Sequence, residues 1–173
     1  HSSVLKVNPN VEIIPVNSEG IVNLETLDMM LTNPSWKSRS GLTLVSVMLA
    51  NNETGVIQPI PDVVSISKRH GAIVHCDAVQ SVGKISVDFK ALGVDMLSLS
   101  AHKIGGPDGV GALVINEDFA RDIRFSPLLL GGGQERGQRA GSENLSGIAG
   151  FGIAAENTLK NLSRYNEISI LRD

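Results

Sequence analysis

Five apolar runs of strand length alternate with helix-like stretches, and that alternation restricts the possible folds more than any other feature of the chain. The runs are "VEIIPV" (11–16), "LTLVSVML" (42–49), "AIVHCDA" (72–78), "MLSLSA" (96–101) and "VGALVI" (110–115). Each is bounded by Gly, Pro or Asn, and several are apolar at odd and even positions alike, as strands covered on both faces are. Between them, "NLETLDMML" sets Asn23 as a cap ahead of a helical periodicity. "PDVVSISKRHG" predicts a helix capped by Asp62 and stopped by Gly71, and "DFKALG" a further short helix. Parallel neighbours need a crossover of about this length, so the pattern predicts an α/β fold with a mostly parallel sheet flanked by helices. Only a short Gly-rich turn joins the last two runs, which predicts one antiparallel pairing there. "SENLSGIAGFGIAAENTLKNLSRY" then has helical spacing and a Ser/Glu start, with glycines suited to close packing against another helix or subunit.

A chain of 173 residues with 42% apolar content can form the core of one domain. No repeat, low-complexity tract or clear linker divides it. The net charge of −3 comes from interspersed acids and bases, and aromatics are only 3%, so neither a basic track for phosphates nor a stacking platform for bases is present. Nucleic acid is therefore not an expected partner. No apolar stretch approaches the roughly 20 residues that span a bilayer, and no charged-then-apolar leader is visible, so a cytoplasmic or organelle-matrix location is expected. The single cysteine, Cys76, leaves no internal disulfide framework and no cysteine-rich zinc site. Beginning without Met and in mid-pattern, at "HSSVLKV", the chain is expected to be a piece of a longer polypeptide.

In open α/β sheets ligands sit beyond the carboxyl ends of the strands, which makes polar residues there the first candidates for chemistry. Run 42–49 leads into Asn51, Asn52 and Glu53; run 72–78 carries Asp77 and leads to Gln80; run 96–101 leads into His102 and Lys103. Run 110–115 is followed by a connection to "GGGQER" at 131–136. An ionised Asp77 at the end of a buried strand is unfavourable unless paired, and alone it suits a cap or structural ion pair. A lysine against apolar strand residues can lose its proton and become a nucleophile, although a lone one more commonly snorkels to the surface. Together, a strand-end lysine and a strand-end carboxylate suggest pyridoxal phosphate, held by an imine at one end and by a carboxylate at its ring nitrogen at the other.

"ANNETGVIQPI", "HCDAVQSVGK", "SAHKIGGPDGVGAL" and "GGGQERGQRAGSEN" resemble, in order and spacing, the blocks of the NifS/IscS cysteine desulfurases. That family lies in the class V aminotransferase group of fold-type I pyridoxal phosphate enzymes, and the resemblance runs through nearly the whole chain. It implies that residues 1–173 are part of a large, cofactor-binding domain truncated at both ends, with the small C-terminal domain absent. It makes Lys103 the Schiff-base lysine and Asp77 the pyridine-nitrogen partner. Gln80 would hydrogen-bond the cofactor's phenolic oxygen, and Asn52 would lie near that oxygen and the substrate carboxylate. Ser100 and His102 would bind phosphate, and Ser142, where the family more often has Thr, would reach the phosphate of a neighbouring subunit's cofactor. His1 matches a histidine that stacks on the pyridine ring and is the second catalytic candidate, though a histidine at a chain start can also be a boundary artefact. No metal is implied.

The activity implied is conversion of L-cysteine to L-alanine, with sulfur passed to an enzyme cysteine as a persulfide. Homodimers and an iron–sulfur scaffold or other sulfur-acceptor protein are the implied partners. The family's catalytic cysteine lies on a loop far downstream of the lysine and Cys76 does not match it, so this piece alone is expected not to complete desulfuration. Selenocysteine lyase, another class V aminotransferase, and a non-catalytic fragment or scaffold are the alternatives. His75 is expected to be a packed or supporting histidine, and His70 a helix-end residue near the dipole. "GGPDGVG" leads into a strand, the wrong order for a nucleotide-binding loop, and suits a tight reversal that aims Lys103. Arg136 and Arg139 are expected to fix a loop at a subunit interface.

Overall fold

β-Branched and apolar residues build four strands where four of the five runs predict them: β1 (Leu44–Met48), β2 (Ile73–Asp77), β3 (Met96–Ser100) and β4 (Gly111–Ile115). The computed structural model describes residues 1–33, 41–122 and 126–172. Seven α-helices occur among them: α1 (Ser2–Leu5), α2 (Leu24–Thr32), α3 (Ile60–Arg69), α4 (Phe89–Leu92), α5 (Glu117–Asp122), α6 (Leu145–Asn161) and α7 (Tyr165–Arg172). The sheet order follows the sequence, with β1–β2 and β2–β3 parallel and β3–β4 antiparallel. The antiparallel last pair is the one that the short glycine-rich turn predicts. None of the helices is long and apolar enough to cross a membrane, among the described residues.

Side-chain alternation divides the sheet into two unlike faces. Val45, Val47, Val74, Cys76 and Leu97 point to one side and pack with Val22, Leu27, Leu31, Ile60 and Val63 of the α2 and α3 region into the core. The opposite side carries Ser46, Met48, His75, Asp77 and Ser98, with Leu44 and Leu113 about half exposed. Two polar ties lock the helices onto the covered face. Lys68 of α3 pairs with Asp95, whose other oxygen accepts from the Val74 amide at 2.8 Å. His70, which caps the end of α3, bonds Asp28 of α2 at 2.7 Å, and that contact, with Arg69 nearby, pulls the Asp28 carboxyl below its ordinary range.

Three expectations change in detail. Run 11–16 is not a strand: apart from one antiparallel bridge between Val16 and Val22 it makes no ladder, and Ile13 stays exposed. Pro9 precedes it and Pro15 lies within it, and neither has the amide that pairing needs. The third helix begins before Asp62, with Pro59 at the cap position and Pro61 in the first turn, where a missing N–H is harmless. Asp62 sits inside that turn, near the helix's positive end. The long helix starts at Leu145, capped by Asn144 Oδ1 accepting from Gly147 at 3.0 Å, rather than at the Ser/Glu pair.

Two of the three glycines of α6, Gly147 and Gly150, press on a loop rather than on a helix, and a Cβ on Gly152 would meet nothing within 4 Å. A Cβ on Gly147 would lie 2.4 Å from Val110 Cγ2, and one on Gly150 would lie 2.6 Å from Pro107 Cγ. They let α6 press directly on the loop between β3 and β4. Capping at Asn23 is as the sequence predicts, with Oδ1 accepting from the Thr26 amide at 2.8 Å. Asn23→Ala is expected to lower stability by about 1 kcal/mol, read as a fall in the urea midpoint with an unchanged slope.

Candidate active site

Because β1, β2 and β3 are parallel, their carboxyl ends lie on one edge of the sheet, and so does the whole connection that leads back into antiparallel β4. Topology alone therefore gathers Asn52, Asp77, Gln80, Ser100, His102 and Lys103. Each is then held by local chemistry. After β1, Asn51 Oδ1 accepts from the Glu53 and Thr54 amides at 2.8 and 2.9 Å, a side-chain turn that leaves the neighbouring Asn52 exposed. Gln58 fastens the base of this turn, its amide bonding Gly20 O and the Val22 amide at 2.7 and 2.8 Å.

Asp77 ends β2 at 7% exposure. Its Oδ1 accepts from the Val79 amide at 3.0 Å, and Oδ2 has no hydrogen-bond partner among the described residues. The chain then turns through Ser81 N to Ala78 O at 3.0 Å, which places a half-buried Gln80 whose amide has no partner among the described residues. After β3, residues 101–104 form a 3-10 turn anchored by buried Ala101, whose amide donates to Val110 O at 3.0 Å. Gly105 closes the turn at φ +82°, a conformation that favours glycine. Ser100 Oγ and His102 Nδ1 are 3.0 Å apart, and the exposed Asp108 carboxylate lies 3.9 Å from that nitrogen. Lys103 is exposed and forms no ion pair among the described residues.

The far side of Lys103 is bounded by a recess of about 320 Å³ shared with Gly83, Thr158, Asn161 and Tyr165. Gly83 has φ +83°, and a Cβ there would meet Thr158 Cγ2 at 2.7 Å and Ile104 Cγ2 at 3.1 Å, so the Gln80 turn, the Lys103 turn and α6 touch at a point only glycine fits. Lys84 follows. Its Nζ is buried without a hydrogen-bond partner among the described residues, and burial, then the like charge of Lys103, push its pKa down. Sequence reasoning passed over Lys84, although it stands inside the quoted "HCDAVQSVGK" block.

Apart from the Ser100–His102 pair, no hydrogen bond joins the expected site residues to one another among the described residues, and the side chain of His1 and the carbonyl of Ser142 bond within their own segments. His1 caps α1, its Nδ1 lying 3.2 Å from the Ser3 amide and 2.8 Å from Ser3 Oγ. Ser142 lies in the glycine-rich loop, where its carbonyl accepts from Arg139 at 3.2 Å. Arg139 also bonds Gly141 O at 2.9 Å, so its contacts fix its own loop. Cys76 is fully buried on the core face, and burial, reinforced by the Asp77 charge, pushes its thiol up to about 12.

The donor set fits a pyridoxal phosphate. A buried carboxylate with one open oxygen suits a protonated ring nitrogen, an unpaired exposed amine suits an aldehyde, and the Ser100–His102 pair beside a turn suits a phosphate.

Comparisons with known proteins identify the family. The model of the aminotransferase class-V family matches residues 4–168. A cysteine desulfurase of Nostoc sp. is 45% identical over 163 residues, 90% of this chain and 38% of the relative. The cysteine desulfurase NifS of Azotobacter vinelandii is 43% identical over 164 residues, 94% of this chain and 38% of the relative. The X-ray structure of a NifS-like protein from Rickettsia africae superposes with a TM-score of 0.84 at 40% identity, covering 95% of this chain and 44% of that one. The chain thus spans about 38% of the length of these curated relatives.

Proposed function

The chain belongs to the aminotransferase class-V family, and from that premise we propose that it is the cofactor-holding part of a pyridoxal phosphate-dependent cysteine desulfurase. The observation that carries this reading is the shared edge of the sheet, where Asp77, Gln80, Ser100, His102 and Lys103 stand at the ends of parallel strands. It is supported by relatives that bear the name cysteine desulfurase.

In this reading Lys103 holds the cofactor's carbonyl carbon through its amine and afterwards moves a proton to and from the substrate's α carbon. Asp77 holds the ring nitrogen through Oδ2. Bound pyridoxal phosphate supplies an electron sink for the pair released at that carbon. Gln80 and Asn52 orient the ring's phenolic oxygen, Ser100 and His102 fix the phosphate, and His1 covers the ring face. Ser142 would serve a second copy's phosphate, which makes the working form a homodimer. The substrate is L-cysteine and the product L-alanine. An enzyme thiolate would attack the substrate sulfur, the S–S bond forming as the bond to the β carbon breaks, with its electron pair left on that carbon to take up a proton. The persulfide sulfur would be relayed to an acceptor protein for iron–sulfur cluster assembly. That thiolate is not Cys76, the only cysteine in the 173 residues, because Cys76 is buried in the core. The chain alone therefore does not complete sulfur transfer.

The test is to incubate the chain with one equivalent of pyridoxal phosphate, reduce with borohydride and map the labelled peptide. Stoichiometric label on the peptide containing Lys103 is the expected result. Label spread over surface lysines, or none at all, would overturn the assignment.

A further inference from the structure

On the face of the sheet opposite the core, a histidine bridges two serines across three strands. His75 Nδ1 lies 2.7 Å from Ser46 Oγ on β1, and Nε2 lies 2.7 Å from Ser98 Oγ on β3. The register pairs Ser46 with His75 but Ser98 with Asp77, so the second serine stands in the Asp77 row, two residues along from the ring. Alternation puts Asp77 on the same face as His75. The three polar side chains thus form one line that starts on β1 and ends at the strand position paired with Asp77, whose carboxylate is not hydrogen-bonded to Ser98 among the described residues.

Resting on the reading of Asp77 given above, we propose that His75 is a positioning residue for the Asp77 carboxylate, neutral and with its proton on Nε2, so that the hydrogen bonds run in one direction from Ser46 through the ring to Ser98.

A neutral imidazole has one donor and one acceptor, which allows only two directions for the chain. If Ser46 donates to Nδ1 and Nε2 donates to Ser98, the Ser98 proton is left over and can turn toward Asp77. In the reverse arrangement Ser98 spends its proton on Nε2 and presents lone pairs to the Asp77 side. The negative charge favours the first arrangement, in which every N–H and O–H dipole points its positive end toward the carboxylate. A charged ring would have to donate to both serines from a half-buried site. Burial lowers its pKa more than Asp77 raises it. Facing the ring from β1 and β3 are the neutral Ser46, Met96 and Ser98, and Asp77 is the charged group on its own strand. The Lys68–Asp95 pair lies at the amino end of β3, on the side covered by α3. With both nitrogens clamped, the ring cannot rotate, and Asp77 meets a fixed dipole on that side.

Histidine side-chain nitrogen NMR on the full chain tests the direction of the line, with the His75→Gln spectrum assigning the signal. An Nε2–H tautomer at neutral pH is expected, and an Nδ1–H tautomer or an imidazolium would overturn the proposal. The link to Asp77 is tested by titrating the visible band of the pyridoxal phosphate-loaded chain. Ser98→Ala should move its midpoint by about half a pH unit or more, and Ser98→Thr, which keeps the hydroxyl, should restore it. A wild-type midpoint in a Ser98→Ala chain that still melts cooperatively would also overturn it. If the chain retains no cofactor, the cofactor assignment fails by itself, and the tautomer still decides this inference.

Discussion

Cys76 should react with iodoacetamide at least about a thousandfold more slowly at pH 8 in the folded chain than in the same chain in concentrated urea. The thiolate is the reactive species, and moving the pKa from 9.0 to about 12 cuts its fraction at pH 8 by roughly a thousand. Burial is the larger cause. The negative charge of Asp77, the next residue, acts in the same direction, while a hydrogen bond with the Leu49 backbone acts weakly against both. Zero exposure adds steric protection, so the true ratio exceeds the one set by ionisation alone. The same shift carries a stability consequence. The folded-state value lies above the unfolded one, so the contribution is complete below about pH 9 and is lost as the pH rises toward 12, where the unfolded chain ionises its thiol and the folded chain does not. His75 acts at the other end of the scale. Its folded value is depressed, so its contribution is present above the unfolded value near 6.5 and is lost as the pH falls through the folded one. Alkylation in the folded state within tenfold of the urea rate would show Cys76 to be accessible and would remove the ground for excluding it as a sulfur acceptor.

The strand ends could be read from the sequence because their chemistry breaks a local pattern. Asp77 and Lys103 each interrupt an apolar run at a place where parallel topology must expose the chain to ligand, and the α/β alternation already dictated that topology. Asn23 could be read for the same local reason, since a cap and the amide it satisfies lie three residues apart. The relations that escaped are those set by register. Ser46, His75 and Ser98 stand 29 and 23 residues apart, and nothing within any one strand says that their hydroxyls and ring will meet. Lys84 escaped for a related reason, since its burial is a tertiary property and its neighbour Gly83 packs against Ile104 and Thr158, the latter 75 residues away along the chain. Run 11–16 misled by composition. Its apolar residues suit a strand, but Pro15 within it and Pro9 before it deny the ladder donors. Of the α6 glycines, Gly147 and Gly150 are contact points, and what they meet is the β3–β4 loop that carries Pro107 and Val110, a contact that seats the Lys103 turn on the helix.

Asp77→Asn should change stability and cofactor binding in opposite directions, which separates a functional carboxylate from a structural one. Among the described residues no cation lies within ion-pair distance of Asp77, and its one hydrogen bond comes from the Val79 amide, which an asparagine oxygen accepts equally well. Removing a charge that has no ion-pair partner at 7% exposure is expected to stabilise the cofactor-free chain by about 1 kcal/mol. A neutral amide cannot balance a protonated ring nitrogen, however, and losing that charge-assisted bond should weaken pyridoxal phosphate retention about ten- to a hundredfold. The thiol next door reports on the same charge. Without Asp77's negative charge the Cys76 pKa falls, so folded-state alkylation should become faster than in the wild type while burial keeps it far below the urea rate. Thermal melting without cofactor, equilibrium dialysis with it and the alkylation rate make up the measurement. A destabilised chain with unchanged cofactor affinity would mean that Asp77 serves the fold instead of the ring. Greater stability together with weaker binding is the signature of a carboxylate kept buried for its ligand, a site where local stability has been given up for function.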